Sequence, residues 1–359
     1  QPYKEKYRTS KIHIKNKTPQ EIIGNKHFWR SDYTSHHRPA FFTSLKMCSN
    51  RTVGIELNMN SENKMGYWLP YGLTYIYRHG NEYQGIFPVW DWARLPGVTN
   101  PYLEISATKK GEAHTQQTSF VGGVSNGNYG VSAMHFSKEN THAKKAWFWF
   151  DNEWVALGAG IQSDHQEPIV TGVNQTVLKG NVLVDEKLFR EKNQSLKNFS
   201  WVLHDSVGYV FPGNQKVEIK VDVQNGNLQR IYGLGIDSVY STEVFSLWFD
   251  HGKRPSDGSY EYIIVPGASP SQLNEYAKNM PVSILSNTDE IQVVSHKKLN
   301  ITGIVFHQAG AFAVSPDLLV AVDHPVLLLL DQQNGFISIS DPTTQLKQVV
   351  ISLKKNDMC

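Results

Sequence analysis

Between Lys216 and Gln224 the chain reads KVEIKVDVQ, polar and apolar residues in strict alternation. A period of two puts Val217, Ile219, Val221 and Val223 on one face of an extended strand, with Glu218, Lys220 and Asp222 on the other. KIHIKN, AWFWFD, WVALGAGI, GYVFPG, YEYIIVPG, GIVFHQAGAFAV, LLVAVDHPVLLLLD and GFISIS also read as strands. Turn signals such as SNGNYG, NGN, HGKRPSDGS and QQNG separate them. Many strands joined by close turns predict an all-β chain built of antiparallel sandwich sheets.

One stretch breaks the pattern. SPSQLNEYAKNM (Ser269 to Met280) opens on a Ser-Pro helix start and ends before Pro281. Beyond it the strands become short and apolar. This predicts a large β-sandwich domain over residues 1–268, a helical linker over 269–280 and a small β-sandwich over 281–359. At 359 residues and 40% hydrophobic, the chain is long enough for that division.

A formal net charge of +2 and a pI near 8.3 give no nucleic-acid signature, and they permit an acidic ligand without demanding one. The longest apolar run, HPVLLLL, is far short of the ~20 residues a membrane helix needs. The N-terminus QPYKEKYRTSK lacks the apolar region of a signal peptide, so an export signal is expected to lie outside this chain. Cys48 sits in a strand-like run and reads as a buried free thiol, and Cys359 is the last residue, so a bridge between them is not expected. No Cys/His spacing points to zinc. Carboxylates able to meet Ca²⁺ are present, but no loop matches a calcium motif, and no cofactor is expected.

Four stretches hold residues capable of chemistry. In FWRSDYTSHHRPAFFTSLKM, His36, His37 and Arg38 read either as acid/base groups and anion contacts or as hydrogen-bonded residues at a strand entrance. In ELNMNSENKMGYWLPYG, Glu62 and Asn63 lie in an Asn-rich loop suited to sugar hydroxyls, or simply to a solvated turn. FPVWDWARLPGVT (Phe87 to Thr99) sets Trp90 and Trp92 beside a rigid Pro-Gly turn. They either stack on sugar rings or pack against the sheet. In HAKKAWFWFDNEWVALGAGI, Trp147, Trp149 and Trp154 read as core. No phosphate loop, HExxH or nucleophile elbow occurs.

Taken in order, SDYTSHHRPAFFTSLKM, SEN, GNEYQGIFPVWDWARLPGVT, FVGGVSNGNYGVSAM and KKAWFWFDNEWVALGAGI resemble the chondroitin, hyaluronate and xanthan lyases of polysaccharide lyase family 8. The resemblance covers nearly the whole chain. It is strongest toward glycosaminoglycan lyases, with the chondroitin sulfate ABC type as the nearest expectation. It implies a galactose-mutarotase-like β-super-sandwich followed by a small C-terminal β-sandwich. It also implies an N-terminal α/α-toroid, outside this chain, that carries the Asn, His, Tyr and Arg of a β-elimination.

By position in the SEN motif the resemblance assigns Glu62 to the catalytic cleft, holding catalytic groups in place. It makes Asn63 a cleft contact and His37 and Arg38 structural or cleft-lining. Trp90 and Trp92 fall at or near the face that meets the toroid. Implied partners are an acidic polysaccharide (chondroitin sulfate, dermatan sulfate or hyaluronan) and the toroid itself. The implied location is secreted or periplasmic, with no nucleic acid and no membrane. The alternative is a binding module that holds acidic polysaccharide without cutting it. A structural sandwich without a ligand is a third reading.

Overall fold

The computed structural model describes residues 22–233 and 237–355; the KIHIKN stretch and Cys359 lie outside them. Of the described residues 52% lie in strands and 5% in helices. Among the described residues three larger sheets and a two-stranded ribbon, Ile55–Leu57 with Glu112–His114, build the large sandwich. Four strands, Gly24–Phe28, Tyr33–Arg38, Phe41–Lys46 and Leu73–Tyr77, form the first in that order. A five-stranded sheet runs Asn193–Leu196, Val217–Gly226, Tyr240–Lys253, Pro168–Val177 and Thr99–Pro101. A nine-stranded sheet has Val207–Val210, Gly258–Pro266, Trp154–Ser163, Thr141–Trp149 and Gly130–Lys138 as neighbours at its centre. The strand ladders are antiparallel, as the close turns predict.

The strand Thr141–Trp149 explains why AWFWF does not alternate. Trp147 and Trp149 belong to one core, shared with Trp68, Trp90, Trp154 and Tyr262. Ala146 and Phe148 belong to a second core on the opposite face. A strand covered on both sides needs apolar residues at every position. Trp147, Trp149 and Trp154 are fully buried, as their sequence context predicts. In contrast, Val217 and Ile219 are buried, whereas Val223 is 47% exposed. The alternating strand outruns the sandwich, and its far half projects beside the loops described below.

The helix Pro270–Lys278 begins at Ser269, whose hydroxyl accepts from the Gln272 amide while the Gln272 side chain accepts from the Ser269 amide. This reciprocal cap satisfies two helix-end donors. Leu273 turns inward to the second core. Beyond the helix, Val282–Asn287, Ile291–His296, Ile301–Phe306, Val326–Asp331 and Phe336–Ser340 form a five-stranded sheet, and Gly310–Ser315, Leu318–Val322 and Ile351–Lys355 form a three-stranded one. A third core lies between them.

The second core crosses from one sandwich to the other. Val131, Phe148, Val155 and Ile263 of the nine-stranded sheet meet Val294, Ile301, Val305, Leu327 and Leu329 of the small one. At Gly303 a Cβ would sit 2.6 Å from both Phe148 and Val131, so only glycine lets the two sheets approach this closely. A buried polar chain runs alongside. The His135 ring meets His307 at 3.0 Å, the other His307 nitrogen meets the Gln292 carbonyl oxygen at 3.0 Å, and Gln292 donates to Asn287 at 2.9 Å.

Candidate functional site on the loops of the large sandwich

The Asn-rich run has a backbone reason. Asn58, Asn60, Ser61 and Asn63 all lie at φ between 51° and 67°. Asparagine tolerates this left-handed region better than most residues. The turn is closed by the Glu62 amide donating to the Met59 carbonyl at 2.9 Å. Asn63 donates its side-chain amide to the Glu56 carbonyl at 3.1 Å. One amide hydrogen of Asn63 is therefore occupied inside the turn.

Glu62 is exposed at the crest of this turn. Among the described residues its carboxylate has no ion-pair or side-chain hydrogen-bond partner. The backbone beneath it is pinned. Lys64 donates to the Ile231 carbonyl at 3.0 Å, Gly233 donates to the Ser61 carbonyl at 2.6 Å, and Ala107 donates to the Lys64 carbonyl at 2.9 Å. A free carboxylate on a fixed backbone is set to meet a group from elsewhere.

The same web continues to FPVWDWARLPGVT. Arg230 pairs with Glu104 at 2.5 Å, and the other Glu104 oxygen accepts from the Trp92 amide at 3.3 Å. Asp91 accepts from Arg94 at 2.7 Å and from the Tyr102 hydroxyl at 3.1 Å. The Arg94 guanidinium lies between the rings of Tyr102 and Trp248, 4.6 and 4.2 Å from their centres. Gln175, fully buried, clamps the loop from below. It accepts from the Asp91 amide at 2.8 Å and donates to the carbonyls of Asp91 and Arg94 at 3.1 and 3.0 Å. An open depression of about 580 Å³ results, with Asp91, Tyr102, Glu104, Lys220 and Arg230 on its walls.

The Pro-Gly turn is held as firmly. Gly97 has φ 77°, and a Cβ there would meet the Gly72 carbonyl at 2.3 Å. The fully buried Lys145 amine donates to the Gly97 carbonyl at 2.5 Å. No described carboxylate pairs with it, and burial drives its pKa well below the ordinary lysine value.

Three sequence expectations need correction. Trp90 and Trp92 are 0% and 3% exposed. They pack edge-to-face at 5.4 Å, and Trp90 donates its indole N–H to the Gln175 carbonyl at 3.3 Å. Neither offers a face to a sugar; the exposed rings of this region are Phe87 and Tyr102, at 42% and 40%. Arg38 is buried as well. It donates to the carbonyls of His37 and Asn128, faces Asp151 at 3.3 Å and lies over Tyr129. With its charge so engaged, it is a structural tie rather than a substrate contact. His36 is fully buried, its ring meeting the Phe150 carbonyl at 2.7 Å and the Asn25 amide at 3.3 Å. Burial lowers its pKa to about 3, which removes it as an acid/base candidate. His37 is half-buried against Phe42, 4.4 Å between ring centres, and burial lowers its pKa too. No described contact joins His37 or Arg38 to the turn of Glu62.

Sequence reasoning missed Tyr102, Glu104, Gln175 and Arg230. Asp91 and Arg94 stood inside the quoted loop, but their partners lie far along the chain. Among the described residues no group of three or more His, Cys, Asp or Glu converges to hold a metal ion. No described helix is long and apolar enough to cross a membrane.

Comparison with known proteins decides the family. Residues 23–277 match the polysaccharide lyase family 8 super-sandwich domain, and residues 283–350 match the family's C-terminal β-sandwich domain. The chain belongs to polysaccharide lyase family 8. It is 37% identical over 334 residues to the Chondroitinase-AC of Pedobacter heparinus, covering 91% of this chain and 47% of that protein. A solved chondroitinase AC lyase matches with a TM-score of 0.89 at 36% identity, over 94% of this chain and 51% of the other. The Xanthan lyase of Bacillus sp. is 31% identical, covering 75% of this chain and 30% of that lyase. The Chondroitin sulfate ABC endolyase of Proteus vulgaris stands at 24%, covering 80% and 30%, so similarity to the AC type is the greater of the two. The family 8 chain thus spans about half the length of the chondroitinase AC proteins it matches.

Proposed function

We propose that this chain is the C-terminal part of a glycosaminoglycan lyase that cleaves chondroitin sulfate, dermatan sulfate or hyaluronan by β-elimination at the uronate. The helical domain that supplies the base and acid lies outside the chain. The protein works outside the cytoplasm, where such polymers occur. What carries the reading is Glu62: in a family of polysaccharide lyases, an unpartnered carboxylate stands on a turn pinned to Ile231, the residue after Arg230 in the wall of a depression that Tyr102 and Lys220 also line.

The reaction removes the uronate C5 proton while the carboxylate charge is neutralised and the leaving oxygen is protonated. Glu62 takes no proton from sugar in this reading. It accepts a hydrogen bond from a cation or hydroxyl of the helical domain and fixes where that group stands. It is a positioning residue. Its rigid support matters because a small misplacement of a catalytic group costs about 100-fold in rate.

The test is Glu62→Ala in the longer lyase, assayed by absorbance of the new C4–C5 double bond on chondroitin sulfate, hyaluronan and xanthan. The expected result is a fall in kcat of about 100-fold with little change in KM, and no turnover by the 359-residue chain alone. Unchanged turnover in Glu62→Ala would remove Glu62 from the mechanism. Cleavage of xanthan in preference to the glycosaminoglycans would overturn the substrate class.

A further inference from the structure

The two sandwiches meet along a groove far in sequence from Glu62. Two adjoining depressions of about 760 and 400 Å³ share Asn279, Pro281 and Lys298. The larger has an apolar floor that includes Ile263, Pro281 and Ile284, and Lys278, Lys297 and Lys298 stand on its walls. All three lysines are exposed, and none has a carboxylate within ion-pair distance among the described residues.

Three of the four carboxylates that line the two depressions have partners. Glu153 is buried against His296 at 2.8 Å. Asp151 faces Arg38 at 3.3 Å and accepts from Tyr129 at 3.1 Å. Glu275 accepts from Asn279 at 2.7 Å. Glu261 is half-buried, and burial pushes its pKa up. On the larger depression three lysines stand against one carboxylate, Glu261, so its walls keep a surplus of positive charge.

That charge is held in place. His296 directs one ring nitrogen to Glu153, and the other accepts from the Leu299 amide at 3.2 Å. Lys297 donates its backbone amide to the Pro281 carbonyl at 2.8 Å. These ties fix the turn that presents Lys297 and Lys298. Lys278 has an ordinary reason to close a helix, since a cation there meets the negative end of the dipole. Lys297 and Lys298 sit at no helix end, and no local acid accounts for them.

We infer that this groove is a second binding site for acidic polysaccharide, in which Lys278, Lys297 and Lys298 meet sulfate or carboxylate groups of a chain remote from the Glu62 loops. The inference rests on the family reading that the ligand is an acidic polysaccharide. A long, repeating polyanion is the occupant that uses several separated cations above an apolar floor. Holding the polymer at a second place raises its effective concentration at the first.

The experiment titrates the 359-residue chain with size-defined chondroitin sulfate oligosaccharides by calorimetry, across a series of NaCl concentrations. The variant is Lys278→Gln/Lys297→Gln/Lys298→Gln. The control, Lys187→Gln/Arg190→Gln/Lys197→Gln, removes the same charge elsewhere. Folding of each is checked by circular dichroism and melting temperature, with Lys298→Gln alone as the mildest form. The expected result is about tenfold or greater loss of affinity in the groove variant, with a salt slope reduced by about one per lysine, and little change in the control. Equal loss in both variants, no binding by the wild-type chain, or equal affinity for a DNA oligonucleotide of the same charge would overturn the inference. Groove binding is read in a chain whose Glu62 is intact, and turnover of Glu62→Ala is read in the longer lyase, so either reading can fail alone.

Discussion

Acidification to pH 5 should strongly destabilise this protein, because its core holds histidines that must stay neutral. His36, His204 and His307 are 0%, 1% and 6% exposed. Burial lowers the first two from an ordinary 6.5 to about 3 and holds His307 well below its ordinary value. Each has both ring nitrogens committed in the neutral form. At His204 one nitrogen accepts from the Lys179 amide at 3.0 Å, and the other meets the Thr176 hydroxyl at 3.5 Å. The unfolded chain takes up protons near pH 6.5 and the folded one does not, so the stability present above 6.5 is lost as pH falls below it. From pH 7 to pH 5 each such histidine costs ~1.8 kcal/mol, or ~5 kcal/mol for the three. That loss is comparable to the ~5–15 kcal/mol that holds a typical domain together. The half-buried His27, His135 and His251 are lowered by burial too and act in the same direction. Urea titrations at pH 7, 6 and 5 measure the effect, and His204→Gln should flatten the slope between pH 6 and 5 by about 1.2 kcal/mol per unit. Stability that stays level from pH 7 to 5 would refute the argument.

Two further substitutions test the loop architecture. Gly97→Ala forces a Cβ against the Gly72 carbonyl at a left-handed position and should cost about 3 kcal/mol or more, read as a lower urea midpoint. Gln175→Leu leaves the Asp91 amide and the Arg94 carbonyl without their Gln175 partner, while the Asp91 carbonyl keeps the Arg94 amide; it should cost about 2–3 kcal/mol and raise protease cleavage within residues 87–99.

Most described strands and the α-helix Pro270–Lys278 were legible because period and capping are local properties. Alternation located the strand at Val217, and the Ser-Pro start located the helix at Ser269. Burial of a loop was not legible. Whether Trp90 and Trp92 face solvent depends on Gln175, 84 residues beyond Asp91, and no local pattern records that. Glu104 and Arg230 pair across 126 positions. The Asn-rich run invited a ligand reading because asparagine serves equally well for hydrogen bonding and for positive φ. Here the backbone accounts for most of it, while Glu62, flanked by those turn residues, stays free. Arg38 reads as either structural or cleft-lining from its motif alone, because no local pattern joins it to Asp151, its distant counter-charge.

The second core also bears on how such a chain can be divided. The two stretches matched by separate family domains share a single apolar seam, with Phe148 and Leu273 on one side and Val305 and Leu329 on the other. A stop codon or protease cut near residue 280 would lay bare the outer face of the nine-stranded sheet, an adhesive surface for other chains. Parts inherited as two modules therefore behave as one in melting, with a single calorimetric transition and no soluble fragment on either side of the cut.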